Sequence, residues 1–232
     1  MTGTLRTFSS RPEAELFISA MMEGVLRLQL EHDVHAGLLL SGGSTPGPVY
    51  ERLSRCDIDW TRVDVGLVDE RWVEQGDARS NAGLLAGTLF QNQAASAHFL
   101  PMKTPDATPA AGAPKLETRY GRLLDLGPLV MLGMGTDGHT ASWFPGVPGI
   151  EQVMDPDTAE AVAAIDATGS AVAGDMPHRI TVTGRALEAA SIVILYITGH
   201  QKRRVLENRA ANLPIHMAED ILGDRLVEVW AP

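Results

Sequence analysis

The residues of this chain best suited to chemistry lie in and just after a glycine turn. Val130 to Gly146 reads VMLGMGTDGHTASWFPG, an apolar run that opens into Gly133, Gly135 and Gly138 and then carries Asp137, His139 and Thr140. An imidazole titrates near neutrality, so it can take a proton from water at working pH. Asp137 could orient that imidazole or a water. The glycines, Gly135 among them, allow close approach of a substrate, and their N–H groups could hold a developing oxyanion. The plain alternative is a turn whose histidine is satisfied by a backbone carbonyl. The same glycines spell G-x-G-x-x-G, but a dinucleotide site also needs an acidic residue about 20 positions on, at the end of a strand. That region, EQVMDPDTAE, does not read as a strand, so no nicotinamide or flavin is expected. No serine or cysteine sits in a nucleophile-elbow context, which favours direct attack by water over an acyl-enzyme.

Three further stretches carry unusual chemistry. Ser41–Pro46 reads SGGSTP. Gly42 and Gly43 would let backbone N–H groups approach an anion, Ser44 and Thr45 add hydroxyls, and a helix start adds its partial positive charge. The alternative is a tight strand-to-helix turn in which Ser44 or Thr45 is the N-cap. No Gly-Lys-Ser/Thr follows, so this is not a Walker A loop. Asp69, Glu70 and Arg71 follow the apolar VGLV directly, and three charges there are costly unless solvated or paired. Arg179 and Lys202 each lie near a predicted strand end, where they could face a phosphate or simply be surface charge. His32 and His35 lack a third ligand at a familiar spacing and read as a surface loop rather than a metal site.

The elements that must position these residues alternate between strand and helix. Ser10 and Glu13 fit a capping box, with Pro12 in the first turn. Leu16, Phe17, Ala20, Met21, Val25 and Leu28 then follow helical spacing. AGLLLSGG and VDVGLVDERW read as buried strands, the second ending in charge. A helix runs from Pro46 to Leu53, and another over SNAGLLAGTLF with Ser80 as N-cap. Pro101 to Pro114 reads as a surface loop, KLETRYGRLLDL as a helix and PLVMLGMG as a strand. Residues 151–177 give mixed signals, with a mobile loop expected before Pro177. HRITVTG is a strand, RALEAA a short helix and SIVILYITG a strand, with a helix from about Gln201 to Asn212. Strand–helix alternation implies an α/β fold, an open and mostly parallel sheet with helices on both faces, in one domain over residues 1–232. Ligands of such sheets bind beyond the carboxyl ends of the strands, and SGGSTP, Asp69–Arg71, GMGTDGHT and GHQK (Gly199–Lys202) all follow predicted strands.

Composition narrows the partners. The formal net charge of −10 argues against nucleic acid and against an anionic membrane surface. Any anionic substrate must be held by a few placed cations. A single cysteine, Cys56, leaves no disulfide framework and no thiolate metal cluster. The N-terminus lacks the apolar core of a secretory signal, and no apolar run nears the roughly 18 residues of a membrane span. A cytoplasmic protein is expected, with no metal and no cofactor.

Taken in order, SGGSTP, VDERWV, Ser80–Asn81, LGMGTDGHTASWFPG, PHRITVT and GHQKRRVL resemble the glucosamine-6-phosphate isomerase/6-phosphogluconolactonase family, on its lactonase side. The resemblance implies an open sheet of the deaminase/isomerase (NagB-like) type. It implies hydrolysis of 6-phospho-D-glucono-1,5-lactone in the oxidative pentose phosphate pathway. It also implies a small sugar-phosphate lactone as the partner, no cofactor, and a monomer or small homo-oligomer. His139 matches the general base, with Asp137 beside it. Asp69 and Arg71 match the acidic-and-arginine strand end, Gly42, Gly43, Ser44 and Thr45 the phosphate loop, and Arg179 and Lys202 the cations near the phosphate. The chain departs from the family pattern at Trp143, where Leu is usual, at Gly127–Pro128 before the strand, and in GSAVAGDMPH before Arg179. The aminosugar-phosphate deaminases have a Glu five residues after the His, where this chain has Phe144, and tend to Asp-Glu-Tyr where it has Asp69-Glu70-Arg71. A sugar-phosphate-sensing transcription regulator would need a DNA-binding module, and no helix-turn-helix precedes the first α/β unit.

Overall fold

The computed structural model describes residues 5–74 and 76–232. In chain order its elements are β1 (Arg6–Thr7), α1 (Arg11–His32), β2 (Ala36–Leu40), α2 (Gly47–Leu53), β3 (Val63–Leu67), β4 (Asp69–Arg71), α3 (Asn81–Thr88), β5 (His98–Leu100), α4 (Pro109–Asp125) and β6 (Leu129–Leu132). They continue with α5 (Ile150–Met154), β7 (Val162–Asp166), β8 (His178–Val182), α6 (Gly184–Glu188), β9 (Ile192–Thr198), α7 (His200–Glu207), α8 (Pro214–Leu222) and β10 (Leu226–Ala231). Seven of these strands form one sheet in the order β1-β10-β9-β6-β2-β3-β5, with parallel pairing throughout. Every residue of β2 and of β6 is buried, as expected of parallel strands covered on both faces. Each fully buried Leu there contributes on the order of 1.5–3 kcal/mol.

Strand order sets the place of the site. From β2 the chain moves outward through β3 to β5. It then returns to the other side of β2 at β6 and continues outward through β9 and β10. The loops after β2 and β6 therefore diverge, and the crevice between them is where an open α/β sheet accepts a ligand.

A second, three-stranded sheet, β4-β8-β7, is antiparallel. The sequence reads Val63 to Trp72 as one strand, but it divides at Val68. The Val68 N–H donates to Leu40 O in the parallel sheet, while its carbonyl accepts from Val182 N beside β8. After that hinge β4 leaves the main sheet and pairs with β8, which brings Arg71 opposite Arg179. Alternation along β4 separates its three charges: Asp69 and Arg71 line the crevice, and Glu70 points the other way. The Glu70 carboxylate accepts from the backbone N–H groups of Arg71, Asn81 and Ala82 at 2.7–2.8 Å and from Ser80 Oγ at 2.9 Å. Burial raises its pKa, and the four donors oppose that without cancelling it.

Several expectations need correction. The Ser10 side chain makes no cap bond. Glu13 accepts instead from Ser9, at both N and Oγ. The buried face of α1 is Ala14, Ile18, Met22 and Leu26, and Leu16 and Leu28 are 59% and 57% exposed. Leucines on the outer face mimic the helical spacing, so the period was legible and its phase was not. The expected 101–114 loop becomes helical at Pro109. Thr108 Oγ1 caps it, and the bond that Pro114 cannot make would have gone to the exposed Ala110. The expected helix to Asn212 stops at Glu207, and after Asn212 adopts a left-handed conformation (φ 45°) the chain starts α8 at Pro214. The mixed region contains α5 and β7. Neither α8 nor β10 was anticipated.

Removing the Glu70 carboxylate would leave buried N–H groups at the start of α3 without acceptors. Glu70→Ala should destabilise the protein by about 2–4 kcal/mol in urea unfolding. Glu70→Gln, which keeps one acceptor oxygen, should lose less.

Candidate active site

The loop after β6 is closed by two backbone bonds: Gly135 N donates to His139 O at 2.9 Å, and Gly138 N to Gly135 O at 3.2 Å. Thr140 Oγ1 donates to Gly133 O at 2.8 Å. This tight turn brings His139 back over Gly135. A Cβ on residue 135 would lie 2.2 Å from the imidazole, so the ring's place exists only because that residue is glycine. Asp137 Oδ1 lies 2.5 Å from His139 Nδ1 and accepts the His139 backbone N–H at 3.3 Å. A carboxylate on Nδ1 assigns the proton to that nitrogen and leaves Nε2 as the acceptor. Phe144 packs on the ring with centroids 4.9 Å apart. Burial pushes the Asp137 carboxyl upward, but the hydrogen bonds and charge of His139 outweigh it, and the group lies below its ordinary value.

His139 opens onto a cleft of about 320 Å³. Gly42, Gly43, Ser44, Thr45, Asp69, Arg71, Gly135, His139, Arg179 and Lys202 all line it. Asp137 stands behind the imidazole and does not line the cleft. On the β2 side, the N-cap of α2 is Pro46, and no side chain caps that helix. The alternative role for Ser44 and Thr45, capping, is thus not the one adopted. Asn81 lies against Gly42, where a Cβ would come 1.9 Å from its Oδ1. Its amide donates to Asp69 O at 2.8 Å and to Asp69 Oδ1 at 3.2 Å. The other Asp69 oxygen accepts from Ser142 Oγ at 2.6 Å and faces Arg179 NH1 at 3.9 Å.

The cations differ in how much of them is already engaged. Arg179 is 6% exposed. It donates Nε to Met176 O and NH2 to Ala173 O, and its guanidinium lies over Phe144. Burial lowers its pKa, and Asp69 pulls the other way. It ties the 173–176 turn to the cleft as well as lining it. Arg71 donates to Arg79 O, and its buried Nε has no partner within the described residues. Burial lowers the Lys202 pKa, with a smaller push from the Arg11 charge. Trp143, unusual for the sequence pattern, is fully buried and donates Nε1 to Val182 O at 2.9 Å, the partner a buried indole requires. Among the described residues no group of three or more His, Cys, Asp or Glu is placed to hold a metal ion. No described helix is long and apolar enough to cross a membrane.

Residues 13–225 match the family described as glucosamine-6-phosphate isomerases/6-phosphogluconolactonase. A 6-phosphogluconolactonase of Xylella fastidiosa (strain Temecula1) is 37% identical over 98% of this chain and 95% of its own length. One from Rhizobium meliloti is 40% identical over 85% of each. The chain belongs to this family. Its fold agrees: the crystal structure of a 6-phosphogluconolactonase from Shewanella baltica superposes with a TM-score of 0.88 at 30% identity, covering 99% of this chain and 98% of the other. The sheet is thus of the family's deaminase/isomerase type.

The sequence pattern marks Phe144 only as a departure from the deaminases and gives no task to Asn81, Ser142 or Tyr196. Ser142 lies 73 positions from the Asp69 it bonds, and no local pattern signals such a pair.

The lowered Asp137 pKa fixes the sign of an acid effect. Its stabilisation is complete above the unfolded carboxyl's titration, near about pH 3.9, and is lost as pH falls through the lower folded value. In urea titrations the stability gap between wild type and Asp137→Asn should shrink as pH falls below about 4.

Proposed function

We propose that this chain hydrolyses 6-phospho-D-glucono-1,5-lactone to 6-phospho-D-gluconate, the lactone step of the oxidative pentose phosphate pathway. The observation that carries the reading is the Asp137–His139 pair at 2.5 Å, facing a cleft that also holds a hydroxyl loop and cations in an otherwise acidic chain. Water attacks C1 of the lactone while His139 Nε2 takes its proton. The carbonyl oxygen becomes an oxyanion, stabilised by Arg71 and by backbone N–H groups of the Gly133–Gly138 turn other than those of Gly135 and Gly138, which bond within the turn. Collapse of the tetrahedral intermediate breaks the C1–ring-oxygen bond, and the imidazolium returns its proton to the leaving oxygen. Asp137 holds the tautomer and stabilises the imidazolium. Asp69, itself held by Ser142 and Asn81, orients the water or Arg179.

Ser44, Thr45, Lys202 and Arg179 take the remote phosphate, whose binding energy fixes C1 against the water. A lactone carbonyl is already electrophilic, so one base, one set of oxyanion donors and a phosphate cradle suffice. A deaminase reading is disfavoured by Phe144, whose ring occupies the flank of His139 where ring-opening chemistry would call for a carboxylate. The enzyme acts as one domain, in the cytoplasm, as a monomer or small homo-oligomer, with no metal or organic cofactor.

His139→Ala and His139→Asn should each lower kcat by roughly 10²–10⁴ while the protein stays folded and binds 6-phosphogluconate. A folded His139→Ala enzyme with near wild-type turnover in a coupled assay, corrected for spontaneous hydrolysis, would overturn the mechanism. Lys202→Ala should mainly raise KM, with a smaller loss in kcat, because phosphate binding also positions C1. Arg179→Ala should perturb both constants, since Arg179 also holds the 173–176 turn. Unphosphorylated gluconolactone should be a poor substrate for the wild type. Equal kcat/KM for the two lactones would remove the phosphate cradle.

A further inference from the structure

The fold buries several tyrosines, and the hydroxyls of two are spoken for. Tyr50 OH donates to Ser41 O at 2.7 Å, and Tyr120 OH accepts from Leu67 N at 3.0 Å. Tyr196, on β9, is different. Its residue is 2% exposed, yet it lines the cleft. Its hydroxyl has no hydrogen-bond partner within the described residues. A buried polar group with no partner is costly, and native structures seldom tolerate one without a use.

The surroundings indicate what would complete it. Lys202 lies in the first turn of α7, just beyond the end of β9, and lines the same cleft. Arg11 at the start of α1 is close enough to lower the pKa of Lys202 and to act in the same direction on Tyr196. Glu15 is the acidic group that faces the phenol. Burial first, and then the Glu15 charge, push the Tyr196 pKa up to about 12, so near neutral pH the phenol is a donor and not a phenolate. A protonated donor lining the same cleft as an ammonium group matches an anionic oxygen.

We infer that the Tyr196 hydroxyl, buried, unpartnered and lining the cleft with Lys202, donates a hydrogen bond to the substrate's phosphate and so helps select phosphorylated over unphosphorylated lactones. The inference rests on the proposed reading of the cleft as a sugar-phosphate site. It adds a penalty as well as a contact: a ligand without the phosphate leaves the buried phenol unpaired, and such a mismatch discriminates more strongly than lost apolar contact. It also places one selecting group on a strand rather than a loop, which fixes its position more tightly.

The test is Tyr196→Phe, which removes one oxygen that no described protein group uses, so the Tm should stay near that of the wild type. Loss of a hydrogen bond to a charged group predicts a roughly 10- to 100-fold rise in both KM for 6-phosphogluconolactone and the inhibition constant of inorganic phosphate. The preference for the phosphorylated lactone over gluconolactone should narrow by a similar factor. An unchanged phosphate inhibition constant would overturn the inference. So would equal losses on the two lactones, which would mark Tyr196 as structural. If the wild type itself does not distinguish the lactones, the sugar-phosphate reading falls first and this inference with it. A wild type that discriminates beside an equally discriminating Tyr196→Phe defeats the inference alone.

Discussion

A single buried carboxylate organises one wall of the cleft. Glu70 gathers the N–H groups of Arg71, Asn81 and Ala82 and the hydroxyl of Ser80, which binds the start of α3 to the strand that carries Asp69 and Arg71. Because side chains alternate along a strand, seating Glu70 inward obliges its two neighbours to face the cleft. Asn81, held by the same contact, then presses on Gly42 and bonds Asp69. The loop after β2, the charged strand and the helix behind them form one unit, and a ligand meets it already assembled.

The opposite wall depends on a glycine turn. Gly135 leaves room for the His139 ring, and Asp137 fixes which of its nitrogens faces outward. Both walls meet at the point where the parallel sheet reverses its direction of growth, between β2 and β6. The antiparallel sheet β4-β8-β7 closes the cleft from the side and contributes Arg179. Preorganisation of this kind matters for catalysis because groups that are already aimed need no reorganisation as charge develops.

Charge within the cleft runs against the rest of the molecule. A chain with a formal net charge of −10 repels anions at a distance, so the phosphate recognition proposed for the cleft would rest on contact rather than on steering. Arg179 is desolvated, and its guanidinium is divided between loop carbonyls and Asp69. Lys202 is less encumbered, and burial makes its charge more costly. Tyr196 supplies a neutral donor where another cation would add repulsion.

The parts legible in the sequence are those whose cause is local. AGLLL and PLVML read as buried strands because parallel strands are apolar on both faces. SGGSTP and GMGTDGHT read as sites because glycine, hydroxyls, Asp137 and His139 lie within one turn of chain. The alternation of strands and helices was enough to name the fold class and to group the loops at one sheet edge. Tertiary structure decided what depends on distant partners. It chose which face of α1 is buried, since outward leucines copy the period of inward ones. It broke Val63–Arg71 into two strands at Val68, since only pairing with β8, more than a hundred residues on, draws Asp69–Arg71 out of the main sheet. It joined Ser142 to Asp69 and left the Tyr196 hydroxyl without a partner among the described residues. Local spacing records periodicity and turn chemistry, but a contact between residues far apart in the chain is written only in the packing that brings them together.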